Sequence, residues 1–255
     1  MFEDWATPVY PITGKKPRNI WVYVPDEAEE DPEARFPVLY MLDGHNVFLD
    51  ELSTFGKSWG MLDYLQEDAT PVIVVGIDCN HRPNNGRLSE YSPFTFQDEK
   101  YGRIFGKGRL FMDWLCGELK PMIDERYPTI PDREATWIGG SSMGGLMSLY
   151  AVTAYNGVFG KAASLSPSLW TSPKRLNSLF RTAELAPDTV VYMSYGAREM
   201  ANHEGMAHIY TVAQQILMER GVLLTSRVVP NGDHCEECWQ EQLPFFMNTL
   251  LYERA

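Results

Sequence analysis

The sequence predicts an α/β architecture: a mostly parallel, doubly wound sheet flanked by helices. Three observations predict it. Short, nearly continuous apolar runs recur along the chain, as expected of strands covered on both faces. Segments with helical apolar spacing lie between them, and strand alternating with helix is the pattern of a parallel sheet. The 255 residues suffice for a sizeable core, and the whole of 1–255 reads as one domain.

Taken in order, Asn19 to Val24 alternates as a half-buried strand, and Pro37 to Leu42 and Val72 to Ile77 are buried strands. Asn80 to Gly108 is rich in Asn, Arg, Gly, Pro and aromatics, has no clear period, and is too long for an ordinary connection. It reads as a loop excursion over the functional site, with no large separate cap domain. Phe111, Leu115, Leu119 and Met122 recur at helical spacing. Thr136 to Ile138 is a strand end, and Leu146, Met147, Leu149, Tyr150 and Val152 follow as a helix. Ala162 to Leu165, Val190 to Tyr195 and Leu223 to Val229 complete the strands. Met206, Tyr210, Ala213 and Leu217 form a further helix, with Asn202 before it as an N-cap candidate. A ligand site in such a sheet lies at the carboxyl ends of the strands.

The formal charge of −12 disfavours nucleic acid or anionic lipid as the main partner. No stretch is long and apolar enough to span a membrane, and the acidic start Met1-Phe2-Glu3-Asp4-Trp5 does not read as a signal peptide. The four cysteines, Cys79, Cys116, Cys235 and Cys238, are too sparse for a secreted disulfide framework, so a cytoplasmic location is expected. Cys235-Glu236-Glu237-Cys238 is a C-x-x-C, but no second ligand pair stands at zinc-site spacing. Two cysteines at a helix start, with no metal, is the reading adopted.

The chemistry is carried by Trp137-Ile138-Gly139-Gly140-Ser141-Ser142-Met143-Gly144-Gly145-Leu146, a strand running into a helix through G-x-S-x-G. In that pattern the central serine stands on a sharp turn with its hydroxyl above the sheet, and flanking glycines let the backbone arms approach closely. Ser142 is therefore the candidate nucleophile of an α/β-hydrolase fold. A serine hydroxyl needs a base, and the base a third group to orient it, in the chain order Ser, acid, His. Of the five histidines (His45, His81, His203, His208, His234), the last three follow Ser142. His203 and His208 belong to a predicted helix, whereas His234 lies in the turn-rich Pro230-Asn231-Gly232-Asp233-His234 after the final strand. His234 is the base. Glu199 is the first carboxylate after Val190 to Tyr195 and is the expected acid; Glu204 is the runner-up. Asp233 adjoins the base too closely, and Asp188 precedes its strand.

Two backbone N–H groups must face the oxyanion of a tetrahedral intermediate. Met143, following the nucleophile, supplies one; Gly44 or His45, in Tyr40-Met41-Leu42-Asp43-Gly44-His45-Asn46, supplies the other.

These segments resemble the putative esterase family of α/β-hydrolases, which includes esterase D, enterochelin esterase, feruloyl esterases and acetyl xylan esterases. The resemblance rests on Pro37 through Phe48, Ser58-Trp59, Arg87 through Pro93, Glu118 through Asp124, Gly140 through Gly145, Phe159 through Trp170, and Gly232 through Trp239. His45 departs from it, standing where related sequences often carry glutamine, and so do Cys235 and Cys238. The resemblance and the candidate triad together imply a serine carboxylesterase working through an acyl-enzyme on small acyl, aryl or sugar esters, with no cofactor. Trp59, Tyr91 and Arg87 are the expected substrate-binding residues, with Phe94, Phe96, Tyr101, Arg82 and Arg103 behind them. A small-molecule ester is the expected partner, and a homo-oligomer is compatible with the reading. The alternatives are an S-formylglutathione-type thioesterase, an acyltransferase on the same triad, and a non-catalytic binding module.

Overall fold

The computed structural model describes residues 1–252. Its ten strands are β1 (Phe2–Pro8), β2 (Pro17–Tyr23), β3 (Val38–Leu42), β4 (Ile73–Ile77), β5 (Phe96–Asp98), β6 (Gly102–Ile104), β7 (Thr136–Ser141), β8 (Lys161–Leu165), β9 (Val190–Gly196) and β10 (Leu223–Val229). Eight of them form one sheet in the order β1-β2-β4-β3-β7-β8-β9-β10. The pairs from β4 across to β10 are parallel, while β2 runs antiparallel to both β1 and β4. This is the mostly parallel α/β-hydrolase sheet, without a separate cap domain among the described residues.

Successive side chains on a strand point to opposite faces, and the core divides accordingly. On one face Tyr40, Leu42, Ile138 and Met193 pack with Phe111, Leu119, Leu149 and Leu217. On the other, Leu39, Met41, Trp137 and Tyr192 pack with Leu65, Phe246 and Leu250. Burial on both sides explains why β3, β4, β7, β8 and β9 read as continuous apolar runs.

Three elements differ from expectation. The first strand was not evident, because β1 is a half-exposed edge strand whose apolar residues are interrupted by Glu3 and Asp4; Phe2 and Trp5 anchor it, on Phe48 (5.0 Å between centroids) and by a 3.0 Å Nε1 bond to the Tyr127 hydroxyl. The excursion after Asn80 is ordered, holding the helix Gly86–Glu90 and the β5–β6 hairpin. A buried bidentate pair, Arg18 to Glu90 at 2.5 and 2.8 Å, ties it to β2, a long-range tie with no local period to reveal it. The helix Met206–Glu219 is preceded by Gly205 in the left-handed region (φ 70°), so Asn202 is not its cap; Asn202 closes the 3₁₀ turn Ala197–Ala201. No helix among the described residues is long and apolar enough to cross a membrane.

Candidate active site

Ser142 links β7 to the helix Met143–Ala154 with φ 59° and ψ −119°, a region that a residue with a Cβ rarely occupies. The turn is held by surrounding backbone: Ser142 N–H donates to Leu165 O at 2.9 Å, and Ser142 O accepts from Leu146 and Ser168 at 3.0 Å. The glycines serve close approach. A Cβ on Gly140 would stand 3.0 Å from the Gly144 backbone, and one on Gly145 would stand 2.7 Å from Leu165 O. The recorded partner of the Ser142 hydroxyl is Ser168 Oγ at 3.4 Å.

His234 Nδ1 lies 2.6 Å from Glu199 Oε2. An ionised carboxylate only accepts, so this bond keeps the proton on Nδ1 and leaves the Nε2 lone pair free. Glu199 sits just after β9, 2% exposed, and its other oxygen accepts from Ser166 Oγ at 2.7 Å and from Gly196 N–H at 2.8 Å. Ser166, itself at φ 45°, accepts in turn from Trp239 Nε1 at 3.0 Å, and the Trp239 ring meets His234 edge-on at 5.1 Å. Sequence reasoning did not single out Ser166 or Trp239; both lie in segments that resemble the family, but the pairing of β8 with β9 is what brings Ser166 to Glu199, and Trp239 reaches Ser166 from the helix Glu236–Gln240.

The competing residues stand elsewhere. Glu204 is exposed, Asp233 accepts from Arg198 at 3.0 Å, and Asp188 pairs with Arg133 at 2.7 Å on the amino side of β9. His203 stacks on Trp170 at 4.1 Å, where burial lowers its imidazole from the usual value, and His208 is exposed.

Ser142 and His234 line one cavity of about 500 Å³ together with Asp43, His45, Cys79, Arg87 and Trp239. A larger cavity, about 760 Å³, lies at the amino ends of the strands around Pro37, Ala135 and Lys161. That end of the sheet carries neither Ser142 nor His234, so the smaller cavity is the one placed for chemistry. Met143, Gly44 and His45 each lie in the first turn of a helix, where an N–H has no carbonyl of its own helix to bond. Gly44 is required sterically: a Cβ there would stand 2.7 Å from both Gly76 O and Ile77 N. Asp43, at φ 58°, turns the chain out of β3.

The expected substrate-binding residues are corrected in part. Trp59 is 2% exposed and packs on Trp239 and Phe246, and Tyr91 is fully buried against Phe111, so neither presents surface to a ligand. Tyr91 instead accepts a 3.3 Å bond from the Asp43 N–H, supporting the turn from beneath. Arg87 does line the cavity, but its guanidinium is engaged bidentately with Asp43, at 2.6 Å for both bonds. Arg82 is likewise taken, donating to Thr13 O at 2.7 Å. These aromatic and basic residues looked available in sequence because partners distant in the chain cannot be read from local pattern.

Cys235 and Cys238 are free thiols before and within the short helix Glu236–Gln240. Burial pushes both up, Cys238 to about 11, so neither has the thiolate character of a reactive cysteine near neutrality. A different group, His45, Asp78, Cys79 and His81, brings its donor atoms within 4.8 Å of one another beside the cavity.

The family model described as putative esterase matches residues 13–248. An uncharacterized Bacillus subtilis protein, YbbA, is 25% identical over 211 residues, covering 80% of this chain and 79% of that protein. Apo-salmochelin esterase of Escherichia coli O6:H1 is 29% identical over 172 residues, covering 64% of this chain and 51% of that protein, so the match spans about half the relative's length. The solved structure of an IroE-like serine hydrolase from Shewanella oneidensis shares the fold, with a TM-score of 0.74 at 18% identity over 97% of this chain and 79% of that one.

Proposed function

This chain belongs to the putative esterase family and hydrolyses ester bonds, and from that premise we propose that it is a serine carboxylesterase with Ser142, His234 and Glu199 as its triad. The observation that carries the reading is the 2.6 Å Glu199–His234 bond in a site that also presents Ser142 on its strained turn. Ser142 Oγ attacks the ester carbonyl while His234 Nε2 takes its proton. The tetrahedral oxyanion is stabilised by Met143 N–H and by an N–H of the Gly44–His45 turn. His234 then protonates the leaving alcohol, and the acyl-enzyme is released by water that His234 activates in the reverse sense. Glu199 holds the ring in the required tautomer and stabilises the imidazolium.

A cavity of about 500 Å³ suits a small acyl, aryl or sugar ester. The likeness to apo-salmochelin esterase supports an ester as the substrate. The reading is tested by a panel of acetyl, butyryl and feruloyl esters with S-formylglutathione beside them. Wild type should turn over oxygen esters, and Ser142→Ala should lose on the order of a million-fold in kcat. A fluorophosphonate should label Ser142 alone. Faster turnover of S-formylglutathione than of every oxygen ester would favour a thioesterase. Transfer to added sugar in preference to water would favour an acyltransferase. No turnover and no labelling would favour a binding module.

A further inference from the structure

We propose that His45, Asp78, Cys79 and His81 form a binding site for a divalent transition metal of the zinc class, on the rim of the cavity that contains Ser142. The four donors come from two segments, the turn after β3 and the chain leaving β4, and all lie within 4.8 Å of one another. His45 Nδ1 is 2.8 Å and His81 Nε2 2.7 Å from the same Asp78 oxygen; Cys79 Sγ is 3.9 Å from the His81 ring nitrogens. A tetrahedral zinc site holds its donors roughly 3.3–3.7 Å apart, given bonds of about 2.0–2.3 Å, so side-chain shifts on the order of 1 Å open this cluster to an ion. Two imidazoles, a carboxylate and a thiol are the mixed nitrogen, oxygen and sulfur set that zinc-like cations take and that magnesium and calcium do not.

A second observation points into the same space. His45 is only 9% exposed, and its buried Nδ1 has the Asp78 carboxylate as its near neighbour, 2.8 Å away, in an orientation poorly aligned for a hydrogen bond. The other ring nitrogen, Nε2, is 3.1 Å from Thr54 Oγ1. The Thr54 hydroxyl can accept from or donate to Nε2, so when Nε2 carries the proton the Nδ1 lone pair faces the Asp78 carboxylate, and a cation between these two acceptors would be held by both. The nearest guanidinium groups do not serve: Arg18 is paired with Glu90 and Arg87 with Asp43. An entry path exists, since the His81 side chain is 52% exposed while Asp78 and Cys79 behind it are buried. Bound metal would link the Gly44–Asn46 turn to the segment after β4, which stiffens one wall of the cavity.

The test uses the full chain, stripped with chelator and dialysed against zinc chloride. About one zinc per chain should be retained and should raise Tm. His81→Ala, a change at a half-exposed position, and Asp78→Asn should each weaken binding by at least about tenfold while the metal-free proteins keep their circular dichroism spectrum. Cys235→Ser/Cys238→Ser should bind as wild type does. Cobalt in place of zinc should give a thiolate charge-transfer band that Cys79→Ser lacks. Failure of wild type to retain zinc, undiminished binding by His81→Ala, loss of binding in the Cys235/Cys238 variant, or a wild-type cobalt complex without the thiolate band would each overturn the assignment. None of these readouts uses ester turnover, so they stand apart from the fate of the triad.

Discussion

Replacing Glu199 with glutamine changes one atom type in a site where both carboxylate oxygens have partners. Glu199 Oε1 accepts from Ser166 Oγ and Gly196 N–H, and Oε2 faces His234 Nδ1. If the new amide keeps its oxygen toward Ser166 and Gly196, its NH₂ points at His234 Nδ1. That nitrogen must then accept, which moves the ring proton to Nε2 and removes the base that Ser142 needs. If the amide flips, its NH₂ faces the Gly196 N–H, and a buried donor left without an acceptor costs about 1–3 kcal/mol. The first arrangement avoids that penalty, so the wrong tautomer is the expected state. A carboxylate-to-amide change of this kind in a serine triad lowers kcat by about 10⁴. Glu199→Gln should accordingly lose roughly 10³–10⁴ in kcat on p-nitrophenyl acetate, about 4–5.5 kcal/mol of transition-state stabilisation. KM should change little, and the circular dichroism spectrum should match wild type. Glu204→Gln, at an exposed position, is the control and should stay within about twofold of wild type. Glu199→Gln retaining more than about a tenth of wild-type kcat would refute the reasoning, whatever Glu204→Gln does.

Gly44→Ala should drive a Cβ against Gly76 O and Ile77 N; a loss of about 1–3 kcal/mol in stability and about a hundred-fold in kcat is expected, and unchanged kinetics would separate this turn from the oxyanion. For the pH profile, a protonated imidazole has no lone pair to accept the serine proton, so kcat/KM should be lost on acidification. A kcat/KM independent of pH would count against a histidine base. Cys235→Ser/Cys238→Ser should keep most activity, since burial holds both thiols protonated near neutrality; a loss beyond about tenfold would give them a role that their environment does not suggest.

The sequence by itself determined the parallel sheet and the position of the candidate nucleophile, Ser142. Both are local matters: strands buried on two faces read as continuously apolar, and a strand-to-helix turn this tight leaves little room for a Cβ at Gly140 and Gly145. Chain order and turn chemistry were enough to nominate His234 and Glu199. What local pattern does not encode is which side chains satisfy one another across the sheet. Tertiary structure decided that Arg87 serves Asp43, that Tyr91 and Trp59 belong to the core, and that Ser166 and Trp239 brace Glu199. It also decided that His45 meets Asp78, Cys79 and His81, because β3 and β4 are neighbours and deliver their carboxyl ends to the same place. A hydrogen bond between residues thirty or more positions apart leaves no period in the sequence, and only the folded sheet puts the two ends together.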